Sequence, residues 1–294
     1  MPGGLRRSPR HELCSVETAM DLNSITEIAR PRRRAELPAW SAGDAWLAGG
    51  TWLFSEPQAT VNRLIDVVDL GWPALQIGEH GLRIAATCKI AELDAMAFPS
   101  NWAAAPLFNQ CWRSFLASFK IWNMATVGGN ICVSLPAGPM ISLTAALEGI
   151  CTIWTPDGNE RRVAVADFVR APQRNALAPG ELLRLIDLPT RALRARTAFR
   201  QISLSPLGRS GALLVGTLSP DNGSFTLTVT ASTPRPICLS FCHVPSAALR
   251  EKLEAEIPAS GYYDDIHGSP AWRRQVTLQF AEEIRVDLAG EGGP

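Results

Sequence analysis

The chain has 294 residues with 28 basic and 28 acidic side chains, so its formal net charge is zero. This balance argues against a nucleic-acid-binding protein, which needs a strongly basic face, and a content of 46% hydrophobic and 19% charged residues excludes a disordered chain. No stretch approaches the ~20 consecutive apolar residues of a membrane span, so we expect a cytoplasmic protein with room for two domains.

The N-terminus is rich in arginine, but no apolar segment of the kind found in targeting signals follows it. We expect residues 1–19 to be a disordered leader, with translation beginning at Met1 or at Met20. The cysteines and histidines are scattered, and the closest pair, Cys238 and Cys242, lacks the spacing of a zinc or iron–sulfur site. The thiols indicate a reducing compartment, and we expect no metal site built from this chain alone.

The first half of the chain predicts strands at 63–70 and 81–87. A long helix is expected next, because apolar residues recur at helical spacing. They are Trp112, Phe115, Leu116, Phe119 and Trp122. Residues 141–149 predict another helix, and an Asp-Gly turn predicts a hairpin over 151–165.

A polar, proline-bearing stretch at 171–180 predicts a linker. Beyond it the chain predicts a small antiparallel sheet of three short strands and then two helices. The strands are expected at 211–219, 224–232 and 235–244. The last helix begins with Ser269 as N-cap and Pro270 as its first residue. Its buried stripe is predicted to consist of Trp272, Val276, Phe280 and Ile284.

This outline is an α+β fold with two domains. The first domain is expected over residues 20–170 and the second over 181–294, with the linker 171–180 between them. The second domain is the smaller of the two and carries the three-stranded sheet.

Two pairs of adjacent glycines need an explanation, because bare backbone costs conformational entropy. They lie in "AGGT" at 48–51 and "TVGGN" at 126–130, each with a polar side chain directly after the pair. Neither has the spacing of a Rossmann fingerprint or a Walker loop. Together the loops could present backbone N–H groups to a diphosphate without a cation, whereas either loop alone is more often an ordinary tight turn.

The order and spacing of several motifs along the chain resemble one family. "AGGT" is followed after about 35 residues by "LRIAATCKIAEL" at 82–93 and after about 35 more by "ATVGGNI". This order resembles the FAD-binding subunit of the molybdenum hydroxylases, and the resemblance continues in "PGELLRLIDLP" at 179–189 and "DIHGSPAWRR" at 265–274. This family includes the medium chain of carbon monoxide dehydrogenase and the middle domain of xanthine dehydrogenases. The resemblance implies a two-part FAD-binding domain of the PCMH type, followed by a C-terminal domain of the CO dehydrogenase flavoprotein type.

The resemblance also implies roles for individual residues. The first loop would wrap the FAD diphosphate and approach the flavin, with Leu47, Ala48, Gly49, Gly50, Thr51, Trp52 and Leu53 as its residues. The second loop would lie across the diphosphate and ribose, with Thr126, Gly128, Gly129 and Asn130 as its residues. Leu183 matches a leucine that packs on the flavin ring, and Arg200 matches a lysine near the polar edge of the flavin. A strand core residue and a solvated surface charge are the alternatives for these last two.

Three positions depart from the pattern of the family. Trp52 stands where an acidic or amide residue is usual, Pro139 replaces an aspartate near the ribose, and Trp122 replaces an arginine. Losing one hydrogen bond to the ribose weakens binding by ~1 kcal/mol, which does not abolish it. Two interpretations follow: an ordinary FAD site with altered access for the acceptor, or a degenerate subunit.

The resemblance implies an electron-transfer flavoprotein subunit. In such enzymes a large molybdopterin subunit hydroxylates the substrate, and two [2Fe–2S] clusters in a small subunit pass the electrons to FAD. The flavin then reduces an external acceptor, which is left open among NAD⁺, quinone, O₂ and a protein. We expect a heterotrimer, commonly doubled to a dimer of heterotrimers, and no catalytic acid or base in this chain.

Two other functions compete with this one. The chain could be a non-catalytic assembly subunit that has lost FAD, although keeping both glycine pairs argues against it. A self-contained flavin oxidase would often carry a covalent flavin link, and no histidine lies near either loop to form one. Cys132 is close in sequence, but its apolar context favours a packing thiol.

Overall fold

The computed structural model describes residues 23–115, 117–246 and 248–290, so the predicted leader and both candidate start codons lie outside the described residues. The strands, in chain order, are β1 (Glu27–Ala29), β2 (Asp44–Leu47), β3 (Arg63–Asp66), β4 (Leu75–Gly78), β5 (Gly81–Ala85), β6 (Ile150–Trp154), β7 (Glu160–Ala164), β8 (Val169–Ala171), β9 (Arg174–Asn175), β10 (Leu182–Pro189), β11 (Arg196–Ile202), β12 (Ala212–Leu218), β13 (Phe225–Thr230) and β14 (Ile237–Phe241). The α-helices are α1 (Ile90–Asp94), α2 (Ala105–Arg113), α3 (Phe119–Trp122), α4 (Val127–Val133), α5 (Pro139–Ala146), α6 (Val165–Phe168), α7 (Thr190–Leu193), α8 (Ala248–Glu256) and α9 (Pro270–Gly290).

The strands form separate sheets that follow the chain. β1, β3 and β2 make a small parallel sheet, and β4, β5, β10, β6 and β7 make an antiparallel sheet in that order. β11 to β14 form an antiparallel meander, and β8 pairs with β9. The architecture is therefore a mixture of helices and sheets, as the α+β prediction requires. Within the described residues, no helix is both long and apolar enough to cross a bilayer.

β10 directly follows the expected start of the second domain at residue 181. This strand lies inside the five-stranded sheet, hydrogen-bonded to β5 on one side and β6 on the other. Its side chains Leu183, Ile186 and Leu188 are buried in the same core as the helices that precede it. The proline-bearing stretch 171–180 contains β9 and leads into this sheet, and the division into two domains stays a prediction.

The single long helix predicted around residues 112–122 is wrong. α2 ends at Arg113 and α3 begins only at Phe119. The Ser114 hydroxyl donates to the carbonyl of Cys111 at 2.6 Å, and this bond competes with helix continuation. Phe119 is 67% exposed, so the predicted stripe is not one buried face, and Leu116 lies outside the described residues.

The C-terminal sheet has four strands, where three were predicted. β12, β13 and β14 lie within the predicted ranges, and β11 pairs antiparallel with β12 along its whole length. β11 was missed because its sequence, "RTAFRQI", carries two arginines and a glutamine and has no clean apolar alternation. The hairpin of β6 and β7 and the helix α5 are confirmed.

β12 is buried on both faces and joins two cores. Leu213 and Val215 pack in the core of the preceding sheet and helices, whereas Ala212 and Leu214 pack in a second core with α8 and α9. Gly216 lets α9 approach closely, because a Cβ there would lie 2.2 Å from a methyl carbon of Ile284. The two parts of the molecule therefore share a strand and cannot be separated without exposing apolar surface.

α9 begins as predicted, with the Ser269 hydroxyl accepting from the Trp272 amide at 3.4 Å. Val276 and Ile284 of the predicted stripe are buried, whereas Trp272 and Phe280 are half-buried. Arg273, which was not predicted to be buried, is 1% exposed and donates to the backbone carbonyls of Gly268 and Ala231. A buried arginine within a helix needs acceptors from elsewhere in the fold.

Candidate cofactor site

A cavity of about 740 Å³ lies where the two glycine loops meet the C-terminal part of the chain. Its volume is within the range of small-molecule and cofactor pockets. Most of the predicted cofactor-binding residues line it: Leu47, Ala48, Gly49, Gly50, Thr51, Trp52, Leu53, Thr126, Gly129 and Asn130. Gly128, Leu183 and Arg200 do not line it.

The first glycine loop supplies unused amides. It follows β2 directly, and parallel pairing with β3 ends at Leu47. Among the described residues, the amides of residues 49–53 donate no hydrogen bond to the protein. Gly50 has a positive φ of 70°, and a Cβ there would lie 2.4 Å from the ring of Phe54. The loop therefore turns sharply with its N–H groups available for a ligand.

The two loops touch each other at Gly49. A Cβ on Gly49 would lie 1.9 Å from the carbonyl oxygen of Met124, which precedes the second loop. No side chain fits there, so this glycine is required by the contact between the loops. The ligand-facing surfaces are consequently held side by side.

The second loop differs from the expectation that it presents amides. Gly128 donates to the carbonyl of Ala86 at 3.0 Å, and Gly129 donates to the Thr126 hydroxyl at 3.0 Å. A Cβ on Gly128 would lie 2.6 Å from the backbone oxygen of Ala86, so this glycine serves packing against the strand before α1. A Cβ on Gly129 would meet only the Thr126 hydroxyl, at 2.9 Å. Gly129 thus gives a ligand open access to the wall.

Asn130 and Pro139 shape the neighbouring wall. The Asn130 side-chain oxygen accepts from the Met140 amide at 3.1 Å and so fixes the start of α5. Pro139 lines the cavity as the first residue of that helix. Of the other two departures, Trp52 lines the cavity and is half-buried, whereas Trp122 does not line it. The Trp122 indole instead donates to the carbonyl of Phe115 at 3.0 Å.

Leu183 and Arg200 do not line the cavity. Leu183 is 2% exposed and pairs with Ile153 in the five-stranded sheet. Arg200 donates to Glu283 at 2.7 Å and to Asp287 at 2.5 Å, and these carboxylates of α9 raise the pKa of the guanidinium. Leu183 is thus a core residue of a strand, and Arg200 is a half-buried charge with two acidic partners, whereas the predicted contacts of both with the flavin stay predictions.

The C-terminal part contributes a wall that the sequence analysis did not assign. Its charged or ionisable members include Arg209, Asp265, His267 and Arg273. Three of these belong to the "DIHGSPAWRR" motif, which was used only to identify the family. The available signal for this wall was Arg273, an arginine of this motif in the first turn of the predicted last helix.

Arg273 connects three segments of this wall through hydrogen bonds. Its Nε donates to the Gly268 carbonyl at 2.9 Å, and its two terminal nitrogens donate to the Ala231 carbonyl and, at 2.5 Å, to Asp265 Oδ1. The Ala231 amide in turn donates to the Pro136 carbonyl at 2.9 Å, on the wall next to the second loop. Burial lowers the pKa of Arg273, and the negative charge of Asp265 opposes this effect.

The thiols of the first core are packing groups. Burial raises the pKa of Cys88 and of Cys132 to about 12, and it also raises the pKa values of Cys111 and Cys151. Cys132 lines the cavity, but a thiol with a raised pKa is a poor nucleophile. Within the described residues no group of three or more metal-ligating side chains is found.

The donor set fits FAD. Free amides at 49–53 and the hydroxyls of Thr51 and Thr126 suit the oxygens of a diphosphate. Trp52, Phe115 and Ile121 supply apolar wall for a flat ring. The bare surface of Gly129 allows either part to approach the backbone.

A family model described as the FAD binding domain in molybdopterin dehydrogenase matches residues 16–191, which is more than half of the chain. The chain belongs to this family. The matched segment contains both glycine loops and confirms the resemblance to the FAD-binding medium subunit of the molybdenum hydroxylases.

Known relatives agree in sequence and in fold. The carbon monoxide dehydrogenase medium chain of Afipia carboxidovorans is 26% identical over 181 residues, which are 60% of this chain and 62% of the relative, so the match spans less than two thirds of that protein. A carbon monoxide dehydrogenase from Hydrogenophaga pseudoflava has a TM-score of 0.74 at 18% identity, covering 88% of this chain and 96% of that one. Quinoline 2-oxidoreductase from Pseudomonas putida 86 has a TM-score of 0.70 at 17% identity, covering 90% and 97%. At these identities the solved structures show a shared fold.

Proposed function

We propose that the chain binds FAD in this cavity and acts as the electron-transfer flavoprotein subunit of a molybdenum-containing hydroxylase or dehydrogenase. The observation that carries the proposal is the run of unused amides at residues 49–53, on the wall of a cofactor-sized cavity in a chain of an FAD-binding family. When bound, FAD supplies the redox chemistry, and the protein supplies binding and orientation.

The residues of this chain would divide the binding between them. The amides of the first loop would hold anionic oxygens, since hydrogen bonds to charged acceptors are about twice as strong as neutral ones. The Gly129 surface and the Trp52 side chain would fix how closely the ligand approaches and which face of a ring stays open. The Pro139 side chain offers no acceptor to a ribose hydroxyl, and we expect that loss to weaken binding only modestly.

The domain layout follows from the same proposal. We propose that residues from 20 to about 190 form the two-part FAD-binding domain of the PCMH type, with the C-terminal domain beginning near β11. The location of β10 in the five-stranded sheet and the end of the family match at residue 191 support this later boundary.

The partners would supply the remaining cofactors. We propose a small subunit with [2Fe–2S] clusters as the electron donor and a large molybdopterin subunit as the site of substrate hydroxylation. The named relative is a medium chain, which supports an assembly of several subunits, and we propose a heterotrimer or its dimer in the cytoplasm.

The test is titration of the purified chain with FAD, followed by the visible spectrum of the protein after gel filtration. We expect about one FAD per chain for the wild type and for Gly78→Leu, because a Cβ at Gly78 has open space outside the cavity. Gly129→Leu should bind far less, since its side chain would enter the cavity. A wild-type chain that takes up no FAD, even with its partner subunits present, would support the assembly-subunit alternative instead.

A further inference from the structure

The charges of the cavity are distributed unevenly. The residues that line it before position 200 include no aspartate, glutamate, lysine, arginine or histidine. Its charged lining side chains are Arg209, Asp265 and Arg273, all from the C-terminal part, with His267 beside them. A segment that would hold a doubly negative diphosphate through neutral groups alone leaves that charge without a counter-ion.

Arg209 is the cation of this wall to which the described part of the chain gives no partner. Its side chain is exposed on the cavity wall, and among the described residues it has no ion pair or hydrogen-bond partner. Its position is nevertheless defined, because the next residue, Ser210, is 2% exposed and its hydroxyl lies 3.1 Å from Nε2 of Gln201.

Arg273 provides a second and buried donor. A guanidinium carries five N–H groups, and the bonds to Gly268, Ala231 and Asp265 use three of them. No protein acceptor for the other two is found in the described part of the chain. Together with Asp265, the two arginines leave one positive charge in excess on this wall.

We propose that the C-terminal part supplies the positive charge of the FAD site, with Arg209 facing negative charge on the bound dinucleotide and Arg273 supporting it. This inference rests on the proposed function and extends it, because the site would then be completed outside the segment 16–191 that the family model covers. The acceptor is an anionic oxygen or nitrogen of FAD, either in the diphosphate or in the ring once it has gained negative charge on reduction.

The first arm of the test measures affinity. FAD and riboflavin are titrated against wild type, Arg209→Gln and Arg209→Glu by flavin fluorescence, at low and at high salt. Arg235→Gln is the matched control, because Arg235 is an exposed arginine of the same part of the chain outside the cavity. If Arg209 faces the diphosphate, Arg209→Gln binds FAD about two- to fivefold more weakly at low salt, and Arg209→Glu more weakly still. Riboflavin affinity stays unchanged, and the FAD difference shrinks at high salt.

The second arm measures the midpoint potential of the bound flavin. If Arg209 faces the ring, FAD affinity is unchanged but the potential of Arg209→Gln falls by about 20 mV, the equivalent of a fivefold ratio for two electrons. Either result supports the inference. A wild type that binds FAD, with both variants equal to Arg235→Gln in affinity and potential, would overturn the inference alone. A wild type that binds no FAD would overturn the proposed function and this inference with it.

Discussion

Adjacent glycines in the second loop are constrained by different neighbours. Gly128 is pressed against the backbone of Ala86, whereas the space beside Gly129 belongs to the cavity. One glycine therefore contributes to the folding of the loop and the other to the surface offered to a ligand. The sequence alone does not show which of the two glycines has which role.

Alanine at each position separates these two roles. Gly128→Ala should lower the free energy of unfolding by about 1–3 kcal/mol, because the new methyl overlaps backbone atoms that have no free direction to move. Gly129→Ala should leave the stability of the FAD-free protein within ~1 kcal/mol of wild type and weaken FAD binding. Urea unfolding without FAD and a fluorescence titration with FAD measure both effects. Equal FAD affinity for Gly129→Ala and wild type would contradict the assignment of Gly129 to the ligand wall.

Most of the residues predicted to bind the cofactor line one cavity, but the sequence did not reveal what each of them contacts. Whether a Cβ has room at Gly128 depends on Ala86, a residue from a distant strand end. Arg273 was missed for a similar reason, since its acceptors at Ala231 and Gly268 come from turns that only the folded chain brings together. Trp52 and Pro139 were recognised as departures, because the family pattern alone is enough to reveal them.

The first glycine loop follows β2, and a hydrogen-bond network around Glu181 fixes the end of that strand. Arg161 of β7 donates to Glu181 at 2.6 and 2.5 Å, and the Ala178 amide donates to the same carboxylate at 2.7 Å. The Glu181 carbonyl accepts from the Trp46 indole at 2.9 Å. Trp46 is the residue before Leu47, so this network fixes where β2 delivers the first glycine loop.

The network makes stability depend on pH. The hydrogen bond from Arg161 lowers the pKa of Glu181, so the folded state favours the carboxylate and its contribution is fully present above the unfolded pKa of ~4.3. That contribution is lost as the pH falls through the lower pKa of the folded state. Glu181→Gln should therefore cost about 1–3 kcal/mol at pH 7, and the difference from wild type should shrink towards pH 3. Urea unfolding at both pH values is the measurement, and a difference that stays constant would refute the role of the charge.

Thr126 caps the start of α4. The Thr126 hydroxyl accepts the Gly129 amide and is buried at the edge of the cavity. Thr126→Val keeps the shape and removes the acceptor, so it should lower stability by ~1 kcal/mol, whereas Thr126→Ser should retain most of it. Thermal unfolding of the two variants compares them, and a larger loss for Thr126→Ser than for Thr126→Val would show that the methyl group, not the cap, matters.

Elements with strong local signals were predictable. The Asp-Gly hairpin, α5 and the N-cap of α9 follow from turn residues and apolar periodicity that act over a few positions. The break between α2 and α3 was not, because a side-chain bond from Ser114 and the indole of Trp122 overrides a helical repeat. β11 depends on its pairing with β12, and its own residues carry little preference.

For the whole molecule, the shared strand β12 predicts joint unfolding of both cores. Separation of the cores would expose Leu213 and Val215 on one face or Ala212 and Leu214 on the other. We expect a single calorimetric transition, with calorimetric and van't Hoff enthalpies equal, for FAD-free protein. A fragment ending at residue 191 should be aggregation-prone, since it lacks β12. Two resolved transitions, or a well-folded fragment, would contradict this coupling.

The sequence did contain a sign of this arrangement. The run "ALLV" in β12 has no polar alternation, and a short continuous apolar run is typical of a strand covered on both faces. What could not be predicted is the identity of the covering elements, because nothing local indicates that α5 packs on one face and α9 on the other.

The contact of Gly49 with the Met124 carbonyl has a thermodynamic consequence. It is made between two protein segments, so folding itself aligns the five amides of the first loop with the wall of the second. The entropy of ordering the loop is then lost during folding, and association with a ligand does not have to supply it again. A preorganised site of this kind should show its affinity mainly as slow release, since the arriving ligand need not wait for a rearrangement of the chain.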